Sequence, residues 1–92
     1  HIGIIDKPST NPFTEDHEHP YDEIILLLGT DMEDPEDLGG EIEYYLGEEL
    51  EPHRTDRTNA IWLPKGFKHN LKFLRVDRPF ILLAISLSGA YG

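Results

Sequence analysis

The sequence predicts a single all-β domain of the sandwich or barrel type. Short runs rich in β-branched, aromatic and leucine residues alternate with turn signals along all 92 residues, and this alternation is typical of all-β folds. No segment shows a 3.6-residue apolar period of helical length. A chain of this size is expected to form one domain, spanning residues 1–92, with a modest core.

Four strands are predicted in the first half of the chain: Ile2–Ile5, Glu15–His19, Asp22–Leu28 and Glu41–Leu46. The turn signals that bound them are Pro12, Gly29-Thr30-Asp31, Pro35 and Gly39-Gly40. In the fourth strand apolar residues at 42, 44 and 46 alternate with Glu41, Glu43 and Tyr45. This alternation predicts one buried and one solvent-exposed face.

Four more strands are predicted in the second half: Leu50–Thr55, Ala60–Leu63, Asn70–Val76 and Phe80–Leu87. Their turn signals are Gly47-Glu48, Pro64-Lys65-Gly66 and Asp77-Arg78-Pro79. The runs 24–28 and 80–85 are apolar at every position, whichever way the side chain points. They are therefore expected to be covered on both faces in a double-layered sheet.

Composition excludes several classes of function. The formal charge of −10 repels nucleic acid and anionic lipid, and the absence of cysteine excludes disulfides, thiolate zinc sites and iron–sulfur clusters. The apolar runs are shorter than the ~20 residues that span a bilayer, and no apolar leader opens the chain. We expect a cytoplasmic protein that contacts neither membrane nor nucleic acid, with its acidic segments 31–37 and 47–51 as solvated loops.

Two histidines and a glutamate lie close together in the order His-x-His-x-x-x-Glu. Side chains two apart on an extended strand share a face, so His17 and His19 can reach one ion. Glu23 has the same parity and joins them if the extended conformation continues through, or resumes after, Pro20. A His-x-His pair alone is more often a polar strand edge than a metal site.

A third histidine follows a Pro-x-Gly turn. His69 comes after Pro64-Lys65-Gly66, where a type II turn would have proline at its second position with glycine close behind. Together with His17, His19 and Glu23 it makes a candidate site of three imidazoles and one carboxylate. The remaining histidine within the chain, His53, lies in an acidic segment and is expected to be exposed.

At this point the sequence resembles the cupin family. The family's first motif, Gly-x5-His-x-His-x3,4-Glu-x6-Gly, is matched by His17, His19, Glu23 and Gly29. Its second, Gly-x5-Pro-x-Gly-x2-His-x3-Asn, is matched by Pro64, Gly66 and His69. The chain departs from the pattern at four positions, where Asn11 and Thr58 replace the leading glycines, Gly29 comes one residue early, and Phe73 replaces the final asparagine.

The resemblance implies a jelly-roll barrel, or double-stranded β-helix, with one ion in its mouth. His17, His19, Glu23 and His69 would bind a divalent transition metal: iron, manganese, nickel, cobalt, zinc or copper. We expect a metal-binding cupin, either a mononuclear enzyme acting on a small oxygen-bearing molecule (a dioxygenase, isomerase or lyase) or a non-catalytic module that binds or senses a small molecule.

The sequence identifies no catalytic acid or base. Tyr21, Tyr44, Tyr45 and Trp62 could line the cavity, but aromatic residues on strands are more often core. Glu41 or Glu43 could move protons, although their alternation places them towards solvent. Arg57, Arg75 or Arg78 could bind a substrate carboxylate, although most of them are expected to be surface charges. We also expect a homodimer, formed by edge pairing of the N-terminal run or of Phe80–Leu87.

Overall fold

The computed structural model describes residues 1–9 and 20–87, which form an all-β fold. The described part of the chain contains no helix and seven strands: β1 (Ile2–Ile5), β2 (Asp22–Leu28), β3 (Asp37–Leu46), β4 (Glu51–Arg57), β5 (Asn59–Leu63), β6 (His69–Val76) and β7 (Phe80–Leu87). The all-β prediction is confirmed. The predicted strand Glu15–His19, with both of its histidines, lies outside the described residues.

The strands form two antiparallel sheets. The four-stranded sheet has the order β1-β7-β2-β5, and the three-stranded sheet has the order β4-β3-β6. The core lies between them and consists of Ile25, Leu27, Leu38, Ile42, Tyr44, Leu63 and Phe80. Among the described residues no helix is long and apolar enough to cross a membrane.

The predicted and observed strands differ most at β3. Gly39-Gly40 was predicted as a turn, but both glycines lie inside β3, which begins at Asp37. A Cβ on Gly40 would lie 2.3 Å from the backbone oxygen of Arg75 on the neighbouring strand. Gly40 therefore allows two strands to approach closely next to an irregularity in the register of β3. The prediction of a turn at Gly39-Gly40 is wrong.

The central position of β7 corrects the expected route to a dimer. β7 pairs with β2 along nearly its whole length and with β1 from Phe80 to Leu83, so among the described residues most of this strand has no open edge for a second copy. Of the two segments predicted for edge pairing, only β1 lies at an edge of its sheet.

The predicted two-sided coverage of β2 and β7 is seen on one side. Ile25 and Leu27 face the core and are buried, while Ile24 and Leu26 on the opposite face are half-buried. Trp62, expected as core or cavity lining, is 62% exposed there.

Candidate metal site

The fold brings Glu23 and His69 together although they lie on different sheets. Glu23 is near the start of β2, and His69 is the first residue of β6. His69 Nε2 and Glu23 Oε1 are 3.5 Å apart, and the two side chains are only 9% and 12% exposed. Two of the four predicted ligands thus meet at one end of the sandwich.

The turn before β6 sets the position of His69. Phe67 N donates a hydrogen bond of 3.1 Å to Pro64 O, and Gly66 has φ of +76°, as the third residue of a type II turn requires. Pro64 is therefore the first residue of the turn, and the prediction that it is the second is wrong. The role of Gly66 as the residue with positive φ explains why glycine occupies this position.

A hydrogen bond joins this turn to the strand that carries Glu23. Lys65 N donates to Asp22 Oδ1 at 2.8 Å. The carboxylate next to Glu23 in the chain therefore holds the segment that leads to His69. Asp22 is not part of the sequence motif. Its contact with Lys65 N depends on how the turn lies against the start of β2, and the sequence does not specify this arrangement.

The imidazole of His69 is oriented by the backbone. Its Nδ1 lies 3.0 Å from Phe67 O, and a carbonyl oxygen accepts only, so Nδ1 carries the proton and donates. In the neutral imidazole Nε2 then carries the lone pair, and Nε2 is the ring nitrogen on the side of Glu23. Protein metal sites commonly orient a ligating imidazole through such a bond from its second nitrogen.

The other two predicted ligands, His17 and His19, lie outside the described residues. Within residues 1–9 and 20–87 no group of three or more metal-ligating side chains occurs. The described part of the site therefore consists of one imidazole and one carboxylate. These two side chains offer one nitrogen and one oxygen donor group.

An apolar cavity opens beside His69 between the two sheets. Its volume is about 430 Å³, and its lining includes Ile5, Ile25, Leu71, Phe73 and Leu82. These residues come from four strands of both sheets. The cavity is large enough for a small organic molecule.

Phe73 occupies the cavity wall at the position where the cupin pattern has asparagine. Its ring meets that of Phe80 edge to face, with centroids 5.9 Å apart. An aromatic pair in this geometry adds to core packing. The departure from the motif therefore makes the wall more apolar.

The tyrosines and the acidic residues of β3 lie away from this cavity lining. Tyr44 is buried in the core, where its hydroxyl donates to Asn59 Oδ1 at 2.6 Å, and burial raises the pKa of its hydroxyl. Tyr45 donates to Glu43 on the outer face of the sheet. Tyr21 is half-buried just before β2.

Glu43 is less exposed than its alternation predicted. Arg54 Nε donates to Glu43 Oε2 at 2.8 Å, and the glutamate side chain is only 12% exposed. The hydrogen bond from Arg54, followed by that from Tyr45, lowers the pKa of the Glu43 carboxyl. Glu43 and Arg54 thus form a structural ion pair on the outer face of the sheet, which points away from the cavity.

Arg57, Arg75 and His53 are at the surface, whereas Arg78 is half-buried. Arg57 pairs with Glu36, Arg75 with Asp77, and Arg78 with Asp37. The side chain of His53 is about half exposed and lies 3.5 Å from Glu51. The expectation of surface groups is confirmed for Arg57, Arg75 and His53, and it is wrong for Arg78, whose Nε is buried.

No protein-family model matches this chain, and no curated protein matches its sequence at a significant level. The cupin resemblance consequently stays a prediction based on the two motifs.

Proposed function

We propose that this protein is a cupin-type jelly-roll domain that binds one divalent transition-metal ion through His17, His19, Glu23 and His69. A small oxygen-bearing molecule would bind at the ion, with its apolar part in the adjacent cavity. The observation that carries the proposal is the approach of His69 Nε2 to Glu23 Oε1 at the end of the sandwich. Glu23 and His69 lie far apart in the chain and meet in space.

The separation of these two atoms fits a shared ion. Ligands about 2.1 Å from one ion lie roughly 3.0–3.5 Å apart at octahedral or tetrahedral angles, and the observed distance is 3.5 Å. Both side chains are largely withdrawn from water, and the contact of His69 Nδ1 with Phe67 O leaves Nε2 facing the carboxylate, where it could bind an ion. His17 and His19 would complete a set of three imidazoles and one carboxylate.

Such a donor set suits iron, manganese, nickel, cobalt, zinc or copper. When bound, the ion would polarise an oxygen of the small molecule. The chain's own contribution is to hold the imidazole and carboxylate in place through the turn at Gly66 and the bond to Asp22, and to exclude water with the apolar wall. Leu71, Phe73 and Leu82 favour a ligand with an apolar body.

A second candidate function is binding or sensing without turnover. The described lining of the cavity contains no aspartate, glutamate, lysine, arginine or tyrosine. An enzyme of this type would depend on chemistry at the ion, whereas a binding module needs only shape and the ion. Screening small oxygen-bearing molecules for turnover with the identified ion, with and without oxygen, separates the two functions.

Element analysis of protein purified without chelators tests the metal proposal. We expect one transition-metal ion per chain in the wild type and a loss of most of it in His69→Ala and Glu23→Gln. His53→Ala removes an exposed histidine and serves as the matched control, which should keep the ion. Substoichiometric metal in the wild type, or full occupancy in His69→Ala, would overturn the proposal and leave Glu23 and His69 as an ordinary ion pair.

A further inference from the structure

The outer face of the four-stranded sheet is apolar across all of its strands. Cross-strand partners share a face of the sheet. The outer residues of β2 between Ile24 and Leu28 therefore share a face with their partners on β5 and β7, and those residues of β7 share it with their partners on β1. Between these limits every described residue on the outer face is isoleucine, leucine, alanine or tryptophan. This surface, called here the apolar face, contains no charged side chain.

The outer face of the three-stranded sheet is the opposite in character. Glu43 is aligned with Arg54 on β4 and with Lys72 on β6, and Glu41 with Arg75. Paired charges of this kind are suited to water. The two outer faces of the same sandwich are therefore built for different surroundings.

The exposed part of the apolar face is large for a domain of this size. Ile2, Ile4, Trp62 and Ile85 are between 38% and 72% exposed. Together they expose the equivalent of about two and a half large side chains of roughly 200 Å² each, or about 500 Å². The largest apolar patch on a typical monomer is ~300–600 Å², and a standard interface covers ~800 Å² on each partner. Half-buried neighbours on β2 and β7 extend this area towards the interface value.

The residues of this chain outside the described part contain little that could cover such a face. Residues 10–19 and 88–92 have two large aromatic side chains, Phe13 and Tyr91, and otherwise mostly polar or small residues. A second copy of the chain offers an apolar face of matching area. It also explains why β2 and β7 are apolar at positions that point away from their own core.

Charge favours the same face for self-association. Each copy has a formal charge of −10, so two copies repel at long range. The apolar face places no like charges opposite each other, whereas the opposite sheet presents Glu41, Asp56 and their neighbours. Two copies therefore meet with the least electrostatic penalty through the apolar face.

We infer that the protein forms a two-fold symmetric dimer in which the apolar faces of two copies pack against each other. The interface is isologous, as the symmetry requires, and the two four-stranded sheets stack as in a β-sandwich. Trp62 is buried by this contact. The inference does not depend on the proposed metal site, whose described residues Glu23 and His69 lie on the inner side of the sheets.

Trp62 is the only tryptophan of the chain and reports on this interface directly. Sedimentation and tryptophan emission are measured together on the full chain between about 0.5 and 100 μM, a range that brackets ordinary dimer affinities. We expect a dimer at the upper end and, on dilution, dissociation accompanied by a red shift of the emission. A monomer throughout, or a dimer whose dissociation leaves the emission unchanged, would overturn the inference.

Ile4→Lys and Met32→Lys form a matched pair of variants. Ile4 lies on the apolar face and Met32 in a loop, and both are highly exposed, at 72% and 92%, so neither substitution disturbs the core. Ile4→Lys is expected to weaken dimerisation at least tenfold, with Met32→Lys equal to the wild type. Equal dimerisation of the two variants would contradict an interface on this face.

Discussion

The Tyr44 hydroxyl links the two sheets, and its removal gives a quantitative test of the core. Tyr44 is on β3 of the three-stranded sheet, and its acceptor Asn59 is on β5 of the four-stranded sheet. In Tyr44→Phe the hydrogen bond is lost, at about 0.5–1.5 kcal/mol, and the partly buried Asn59 oxygen loses its donor. We expect a decrease of about 1.5 kcal/mol in the free energy of unfolding at pH 7, or a fall in Tm of ~6–12 °C.

The pH dependence of this difference provides a second check. Burial raises the pKa of Tyr44 in the folded state, so above the unfolded value of about 10 the unfolded chain releases a proton that the folded chain keeps. Wild-type stability therefore falls as pH rises above 10, by about 1.4 kcal/mol per pH unit at most. Tyr44→Phe lacks this loss, and the gap between the two proteins should nearly close at pH 11.

Urea denaturation followed by circular dichroism measures both effects. Chelator is present at each pH and the protein concentration is fixed, because ion binding and dimerisation would otherwise add to stability. Asn59→Ala and the double variant complete a cycle that should give a coupling energy of about 1 kcal/mol. Equal stability of wild type and Tyr44→Phe at pH 7, or a gap that stays constant to pH 11, would refute this account of the hydroxyl.

Three further predictions concern the turn, the close approach of two strands and the outer ion pair. Gly66→Ala is expected to lower the free energy of unfolding by about 1 kcal/mol, because alanine is strained at the positive φ of this position, and to weaken metal binding. Lys65→Ala in the same turn should leave stability and metal binding unchanged. Thermal melts and metal titrations measure the two effects. Gly29→Ala should prevent folding, because its Cβ would lie 2.1 Å from a backbone oxygen of β3; a folded circular-dichroism spectrum would contradict it. The lowered pKa of Glu43 stabilises the fold above the pKa of the unfolded chain, and this contribution is lost as pH falls through the folded value. Arg54→Met should therefore reduce the loss of stability at acid pH. An unchanged loss of stability at acid pH would contradict this role of the ion pair.

The strands whose pattern is local were predictable from the sequence. β2 and β7 have the predicted bounds because uninterrupted apolar runs end at turn residues on each side. β3 was truncated in the prediction because Gly39-Gly40 has the local signature of a turn, whereas the reason for Gly40 is the carbonyl of Arg75 on another strand. A contact between strands distant in sequence leaves no local signal.

The candidate site was predictable where the motif specified residue types. Glu23 and His69 were paired from motif spacing alone, and they lie 3.5 Å apart. The contribution of Asp22 could not be predicted, since it depends on how the turn faces β2. The burial of Glu43 also depended on cross-strand register, which places Arg54 beside it.

Calorimetric titration of cobalt(II) into metal-free protein tests the central claim, that one ion is held by His17, His19, Glu23 and His69. We expect one ion per chain in the wild type, and binding weakened by at least ~10–100-fold when His17 or His69 is replaced by alanine, because each supplies a ligand. His53→Ala should bind like the wild type. No saturable binding by the wild type, or equal affinity in the His69 and His53 variants, would contradict the account.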